Sequence, residues 1–270
     1  MTRAVRLGVF LAGAGCLGVL LALTFLHLPP FGGASHQYRD HAVAASIAHG
    51  TANAVSGVNF DQRAIDTLGE ESILLGSVVA VAALLRPSRG ERERSRPDSG
   101  TVLDSTRLAG YVFLAVTLVL GIDVVVHGHV TPGGGFQGGV VLATGLHLLY
   151  VAGRYPTLER LRPMGLFEVG EGIGTGGFVV LGVAGIVVSG SFLANVLAPG
   201  SFGDLLSAGS VPMLNVVVGV AVAAGCVVML SKFLEQAIVL GTEDAGEERS
   251  KADTGEERKA NAGAHGGGGR

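Results

Sequence analysis

Six long apolar stretches constrain this chain more than any other feature of its sequence. Each is about as long as the roughly 20 helical residues that cross a bilayer. Only 15% of the residues are charged, whereas a soluble domain would carry about 25%. We therefore predict an all-α polytopic membrane protein with about six transmembrane helices, at Val9–Leu28, Leu68–Leu85, Leu108–Val126, Phe136–Ala152, Gly170–Leu193 and Val211–Leu234.

The basic residues predict how the chain is oriented. All lysines and arginines except Arg39 and Arg63 lie before the first run, between the second and third, between the fourth and fifth, or at and beyond the end of the sixth. The positive-inside rule assigns such segments to the cytoplasm. We expect a multi-pass protein of the cell membrane with both termini cytoplasmic.

Three segments are not predicted to span the membrane. The outer loop Pro29–Thr67 contains Ala42–Phe60, which is apolar but carries polar side chains, and we expect a helix that lies at the interface or is tucked into the assembly. Residues 87–105 form a charged cytoplasmic linker at which we place a module boundary. Residues 241–270 are too polar to bury a core, so we expect a disordered cytoplasmic tail.

A glycine-rich turn between the third and fourth runs is the most distinctive local pattern. It reads GHVTPGGGFQGG over residues 128–139. Proline suits the first turn of a helix, and glycines let another backbone lie close. We interpret the turn as a tight outer hairpin for helix packing, with a direct role in ion passage as the alternative. The residues of this structural motif are His129, Pro132, Gly133, Gly134, Gly135, Phe136 and Gly139.

Two acids at the start of the second run are candidates for chemistry. Asp66 and Glu70 lie four residues apart on one helix face, and Arg63 stands three residues before Asp66. Acids near a helix N-terminus also stabilise the helix dipole, so this role and a cation or proton entry both stay open. Glu71 is turned by about 100° from Glu70 and need not share its partner.

Histidines supply the remaining candidates for a cation or proton path. Asp123 and His127 lie four residues apart at the outer end of the third run, where they exchange a proton near neutral pH or cap the helix. His147 lies in an apolar part of the fourth run, as an interhelical hydrogen-bonding group or a relay member. We expect no metal site at His127 and His129, because no further ligands cluster in the sequence.

Other patterns have plainer interpretations. Glu168 and Glu171 begin the fifth run, where interaction with the helix N-terminus accounts for them. The following GIGTGG matches a dinucleotide fingerprint in its letters only, since no strand precedes it. The four-residue spacing of Gly172 and Gly176 predicts close helix contact instead.

Nothing in the chain predicts an enzyme. Cys16 and Cys226 both lie within apolar runs, which argues against a disulfide framework or a redox pair. No nucleophile–base or metal constellation is present in the sequence. We expect neither catalysis nor a cofactor.

The turn GHxxPGGGFxGG between two apolar helices resembles the MnhB/MrpB subunits of multisubunit cation/proton (Mrp) antiporters. GSFLAN at residues 190–195 and VPMLN at residues 211–215 are similar to the same family. The resemblance covers about residues 106–240 and implies a four-helix membrane domain. Where relatives are expected to carry an ionisable residue in the last helix, this sequence has Asn215 and Ala221.

The first part of the chain has a resemblance of its own. VNFDQRAIDTLGE at residues 58–70 looks like the DTLGE segment of MbhE-type domains, which also end the large MrpA-type subunit. The resemblance implies an MbhE-like two-helix membrane module at residues 1–86, fused to the MnhB-like domain.

Together the two resemblances imply an accessory subunit of a multisubunit Na⁺(K⁺)/H⁺ antiporter. Its partners would be other membrane subunits, the lipid bilayer, monovalent cations and protons, with no nucleic acid. Two alternatives stay open: a membrane-arm subunit of an energy-converting hydrogenase or related respiratory complex, and a purely structural assembly subunit.

Overall fold

The computed structural model describes residues 3–28, 36–86, 103–152 and 164–233, and no strand occurs among them. This confirms the all-α class. A π-helical turn, Val58–Gln62, joins the third helix to the fourth. The helices are α1 Arg3–Leu26, α2 Gln37–Ala48, α3 Ala54–Gly57, α4 Ala64–Leu84, α5 Asp104–Val126, α6 Gly135–Ala152, α7 Met164–Ser189 and α8 Val211–Phe233.

Five helices in the described part of the chain are long and apolar enough to cross a membrane, namely α1, α4, α5, α7 and α8. The remaining predicted span, Phe136–Ala152, is also helical, as α6, but its apolar part Gly135–Leu149 is shorter. Most of the predicted linker and the whole predicted tail lie outside the described residues. Both of these assignments stay predictions.

The chain divides into two compact units, Met1–His41 and Ala42–Arg270. In the first unit, α1 has no buried residue. A helix that is apolar on all sides and exposed suits contact with lipid. The second unit contains the candidate functional residues and the hydrophobic core.

The outer segment Ala42–Phe60 is not the single helix that the sequence predicts. α2 ends at Ala48, and Gly50 adopts a φ of +76°, close to the carbonyl of Pro199, where a side chain would not fit. The chain then continues through α3 and the π-helical turn. Both ends of the segment, Ala42 and Phe60, are buried in the second unit, so the segment is packed against its own unit.

The core of the second unit forms around α8. More than half of the residues of α8 are buried, whereas fewer than a quarter are buried in α4, α5 or α7. Helices in lipid associate through close packing of small residues, which suits the valine- and alanine-rich α8. The buried core consists of Phe60, Ala64, Phe178, Leu193, Ala208, Val211, Leu214, Val218 and Val222.

Glycines allow α5 and α6 to form a close hairpin. A Cβ on Gly138 of α6 would lie 2.8 Å from the carbonyl oxygen of Gly121 on α5, and one on Gly110 of α5 would lie 2.5 Å from the Cβ of Ala152. A methyl group cannot occupy either position without moving the helices apart. The hairpin therefore depends on glycine at both points.

Two details of α7 differ within this chain from what the sequence predicts. The helix ends at Ser189 rather than Leu193, because Gly190 adopts a φ of +79° and the chain folds back, so that the Leu193 N–H donates to the Gly182 carbonyl at 3.2 Å. Gly172 and Gly176 have open space beside them. The close contact with α8 is made two residues further on, at Gly174, because rotation about the helix axis decides which glycines face a neighbour.

Candidate functional site

The predicted outer acids lie on the exposed side of the first two turns of α4. Asp66 forms the expected ion pair with Arg63, and both side chains are about half exposed. Glu70, one turn further along α4, is exposed. An exposed ion pair contributes only about 0–1 kcal/mol to stability. These acids are therefore accessible from outside the unit, and Arg63 partly compensates the charge of Asp66.

Asp123 and His127 form the predicted pair at the end of α5. His127 Nδ1 lies 3.0 Å from a carboxylate oxygen of Asp123, and the His127 N–H donates to the Asp123 carbonyl at 2.9 Å. His127 is the residue that ends the helix. The geometry is compatible with both predicted roles, capping and proton exchange. Among the described residues, no hydrogen bond or ion pair joins this pair to Asp66 or Glu70.

The glycine-rich turn is a docking point for two distant segments. Asn53, which caps α3, donates from its side chain to the carbonyls of Gly128 and Thr131 at 2.8 and 3.0 Å, and its N–H donates to the His129 carbonyl at 3.0 Å. On the other side, Asn215 of α8 accepts a hydrogen bond from the Gly135 N–H at 2.9 Å. The turn thus joins the segment before α4 to the start of α8.

Asn215 explains why the turn consists of glycines. A Cβ on Gly134 would lie 2.8 Å from the Asn215 side-chain oxygen, and one on Gly135 would lie 2.5 Å from the Asn215 carbonyl. Gly133 and Gly134 both have a φ of +138°, a conformation that other residues rarely adopt. Phe136, the bulky side chain of the motif, packs against the core. The packing interpretation of this motif agrees with these contacts.

His129 is fully buried beneath the loop that precedes α8. Burial lowers its pKa below the usual 6.5, and His127 acts in the same direction, while the backbone carbonyls of Asp204 and Leu205 oppose this shift. Neither ring nitrogen makes a hydrogen bond of acceptable geometry within the described part of the chain. A neutral ring is the form that this site favours.

His147 lies apart from the turn, twelve residues into α6 and half-buried. At 1.5 Å per residue it is about 18 Å along the helix from Gly135. The other predicted candidates, Asp66, Glu70, Asp123 and His127, all lie at helix ends. A continuous path that includes His147 is therefore not formed by these residues alone.

Two buried acids in α4 and α7 were missed as site candidates in the sequence. Glu71 is 1% exposed, and both of its carboxyl oxygens lack a hydrogen-bond partner among the described residues. Glu171 is 5% exposed, and its Oε1 lacks one as well. Isolated carboxylates at membrane depth cost several kcal/mol, so acids found there are candidates for function. The assignment of Glu171 to helix N-terminal chemistry is wrong, because it lies in the third turn of α7.

Glu171 lies where α7 meets α4 and α8. A Cβ on Gly225 of α8 would lie 3.2 Å from Glu171 Oε1 and 3.3 Å from Val78 of α4. The rings of Phe60 and Phe178 meet at 6.4 Å. Because Phe60 precedes Val78 and Phe178 follows Glu171, α4 and α7 run in opposite directions.

Glu71 lies on the same side of α4 as Val78, two helical turns closer to the start of the helix. Glu70 adds to the negative potential at Glu71, and Glu168 adds to that at Glu171. Each buried acid therefore has an exposed acid of its own helix close to it.

The signal for Glu71 and Glu171 was present but ambiguous in the sequence. Both acids lie close to apolar stretches, the property that marks intramembrane candidates. Sequence periodicity does not say which of two consecutive acids, Glu70 or Glu71, faces the bundle. That choice depends on the rotation of α4, which its packing against α7 and α8 sets.

A family model described as a domain related to the MnhB subunit of the Na⁺/H⁺ antiporter matches residues 105–228. The match runs from the start of α5 into α8 and includes the glycine-rich turn and Asn215. A protein of Methanocaldococcus jannaschii is 30% identical over 250 residues, which are 82% of this chain and 87% of that protein.

Solved structures show the same fold. A chain in the structure of the membrane-bound sulfane sulfur reductase, an archaeal respiratory membrane complex, is similar with a TM-score of 0.67 at 26% identity, covering 85% of this chain and 98% of that one. A chain of the Mrp complex from Dietzia sp. is similar with a TM-score of 0.62 at 24% identity, covering 86% of this chain and 26% of that longer one.

Proposed function

The chain belongs to the family of membrane proteins related to the MnhB subunit of the Na⁺/H⁺ antiporter, and from this premise we propose that it is an accessory subunit of a multisubunit Na⁺(K⁺)/H⁺ antiporter. The observation that carries the proposal is the family match over residues 105–228. The likeness to chains of two membrane complexes supports a role beside other membrane subunits.

The proposed organisation has two modules in one polypeptide. Residues 1–86 form an MbhE-like module, residues 87–105 a cytoplasmic linker, residues 106–240 the MnhB-like domain and residues 241–270 a cytoplasmic tail. The hydrogen bonds of Asn53 and Asn215 with the glycine-rich turn support a fixed contact between the segment before α4 and the MnhB-like domain. This contact would fix the positions of the candidate acids of the two modules relative to each other.

The proposed contribution to transport is a cation or proton path at subunit boundaries. Asp66 and Glu70 are exposed on α4, and Asp123 with His127 is partly exposed at the end of α5, so a neighbouring subunit can reach all four. His147 is the candidate inside α6. A negative outer surface of this kind raises the local concentration of cations.

A second candidate function is a membrane-arm subunit of a respiratory complex. The specific observation in its favour is the similarity to a sulfane sulfur reductase chain over 98% of that chain's length. In this case the redox chemistry would belong to partner subunits, and this chain would still be no enzyme. A third candidate is an assembly subunit without any contact to the ion.

Neutralisation of the outer acids tests the proposed path. We expect Asp66→Asn, Glu70→Gln and Asp123→Asn to leave the complex assembled but to lower Na⁺-dependent proton flux by about tenfold, equal to ~1.4 kcal/mol in an activation barrier. The measurement is proton uptake by inverted membrane vesicles, together with co-purification of the partner subunits through a tag on this chain.

The matched control is Asp40→Asn, since Asp40 is also an exposed acid paired with an arginine, in α2. We expect normal flux from this variant. Wild-type flux in all three test variants, with assembly intact, would favour the structural alternative. Co-purification of redox subunits in place of antiporter-like subunits would favour the respiratory one.

A further inference from the structure

Three buried polar side chains in the connections between helices make no hydrogen bond to any described residue. Thr51, His129 and Ser207 are each at most 1% exposed, and both hydroxyls and both ring nitrogens lack a partner. Thr51 lies between α2 and α3, His129 in the glycine-rich turn, and Ser207 in the loop before α8. A buried polar group without a partner is unfavourable, so these atoms require partners beyond the described side chains.

The segment that contains Thr51 contacts both of the other connections. The Asn53 N–H donates to the His129 carbonyl at 3.0 Å, which joins this segment to the glycine-rich turn. A Cβ on Gly50 would lie 2.6 Å from the Pro199 carbonyl oxygen, so the same segment also lies against the loop before α8. Thr51 stands between these two contacts in the chain.

The loop before α8 covers the His129 ring. The backbone carbonyls of Asp204 and Leu205 lie beside the ring. The Ser207 N–H donates to the Asp204 carbonyl at 3.0 Å, which fixes Ser207 next to the residues that cover the histidine. Each pair of the three connections is therefore in contact, and each connection contributes one buried side chain without a partner.

The hydrogen-bonding chemistry of these groups shows what kind of partner they need. A neutral imidazole has one nitrogen that donates and one that accepts, and a hydroxyl can do both. The carbonyls of Asp204 and Leu205 only accept, so the accepting nitrogen of His129 needs a donor that they do not supply. A buried water molecule both donates and accepts, and commonly bridges several such groups.

We propose that His129, Thr51 and Ser207 form a water-binding site, in which at least one ordered water molecule bridges the His129 ring and a hydroxyl of a neighbouring connection. The bound water fastens the three connections to one another, as Asn53 and Asn215 do elsewhere on the glycine-rich turn by direct hydrogen bonds. The site does not depend on which ion the complex transports.

The ligand is water rather than a metal cation because of the available donor atoms. Hard cations are bound by sets of oxygen atoms that usually include carboxylates, and Asp204 is an exposed residue. An imidazole nitrogen is typical of transition-metal sites. Among the described residues, however, no group of three or more His, Cys, Asp or Glu side chains could hold such a metal.

Electron cryo-microscopy of the purified intact complex, at a resolution that shows ordered water, tests the site directly. We expect water density within hydrogen-bonding distance of a His129 ring nitrogen and of the Thr51 or Ser207 hydroxyl. Absence of such density, or direct bonds from protein groups to both ring nitrogens, would contradict the proposal.

Removal of one hydroxyl at a time gives a second test, in which the sign of the effect decides. If the hydroxyl binds water, Thr51→Val or Ser207→Ala leaves that water short of a partner, and we expect the melting temperature in detergent to fall by a few degrees. If the hydroxyl is buried without any partner, its removal relieves an unfavourable group. An unchanged or higher melting temperature in both variants would therefore contradict the water site.

Two exposed hydroxyls that bond only to their own helix supply matched controls. Thr24 Oγ1 donates to the Leu20 carbonyl and Ser72 Oγ to the Leu68 carbonyl. We expect Thr24→Val and Ser72→Ala to leave the melting temperature unchanged. If the buried-site variants do not assemble, the map of the wild-type complex still decides.

Comparison of Na⁺ with choline at constant ionic strength separates water from an alkali cation. The loss of stability in Thr51→Val or Ser207→Ala should be the same in both salts. A loss that occurs only in Na⁺ would mean that the hydroxyl binds a cation, and the water assignment would be wrong. None of these measurements uses transport, so failure of the water site is separate from failure of the proposed antiporter role.

Discussion

Single side chains hold distant parts of this protein together. The buried carboxamide of Asn215 accepts from the Gly135 N–H and donates to the Ser56 hydroxyl and the Val211 carbonyl, at 2.9–3.1 Å. Each buried polar group left without its partner would cost about 1–3 kcal/mol. An uncharged residue at this position of α8 therefore has a clear structural role, whereas an ionised group would have to be compensated there.

The buried ring of His129 predicts a pH dependence of stability. Because burial lowers the folded-state pKa below 6.5, the unfolded chain binds the proton more readily, and acidification through and below pH 6.5 destabilises the folded state. We expect the melting temperature of the purified protein to fall on acidification, and His129→Gln to make this fall smaller. Thermal unfolding in detergent between neutral and mildly acidic pH measures both.

An exposed histidine gives the control for this experiment. His27→Gln replaces a side chain at the end of α1 that is exposed, and it should leave the pH dependence as in the wild type. Equal pH dependence in wild type and His129→Gln would show that the ring does not titrate with unfolding.

At the level of the helices, glycine position matters more than glycine number. Four glycines of α7 lie within six residues, yet only those on the α8 side, Gly174 and Gly177, have neighbours within contact distance. Gly172 and Gly176 face open space. The same short sequence therefore contains both helix-packing glycines and ones that this chain's own packing does not require.

This difference gives a matched pair of substitutions in one helix. Gly174→Ala places a Cβ 2.6 Å from the backbone of α8 at Val217 and Ala221, and overpacking of this kind costs about 1–3 kcal/mol. Gly172→Ala meets no atom and improves helix propensity. We expect a lower melting temperature in detergent for Gly174→Ala only.

The yield of assembled complex is a second measurement on the Gly174→Ala and Gly172→Ala variants. A loss with Gly172→Ala alone would mean that the open side of α7 packs against another subunit. Equal stability of the two variants would contradict the close α7–α8 contact.

For the whole molecule, orientation in the membrane is the property on which the functional proposals depend. The placement of arginine and lysine predicts that Arg92 and the C-terminal tail are both cytoplasmic. α4 and α7 run in opposite directions in the second unit, as this threading requires.

Reporter fusions after Arg92, after Gly50 and at the C-terminus test the orientation. We expect cytoplasmic signals from the first and last and an external signal from Gly50, which lies in the predicted outer loop. Opposite signals from Arg92 and the C-terminus would require an odd number of spans between them. The predicted threading would then be wrong.

The sequence by itself determined the class of fold, the positions of the membrane helices to within a few residues and the family. These follow from local composition, since a span needs about 20 consecutive apolar residues and the glycine-rich turn is a contiguous pattern. The sequence also predicts the Arg63–Asp66 and Asp123–His127 pairs, because helix geometry fixes contacts three and four residues apart.

Only the tertiary structure decided which polar groups lie inside. Glu71 faces the bundle and Glu70 does not, Glu171 lies beside Gly225, and Asn215 bonds to Ser56, which is 159 residues away in the chain. Each of these depends on the rotation and mutual approach of helices from separate parts of the chain. Close packing of many small residues sets that arrangement, and no local pattern contains it.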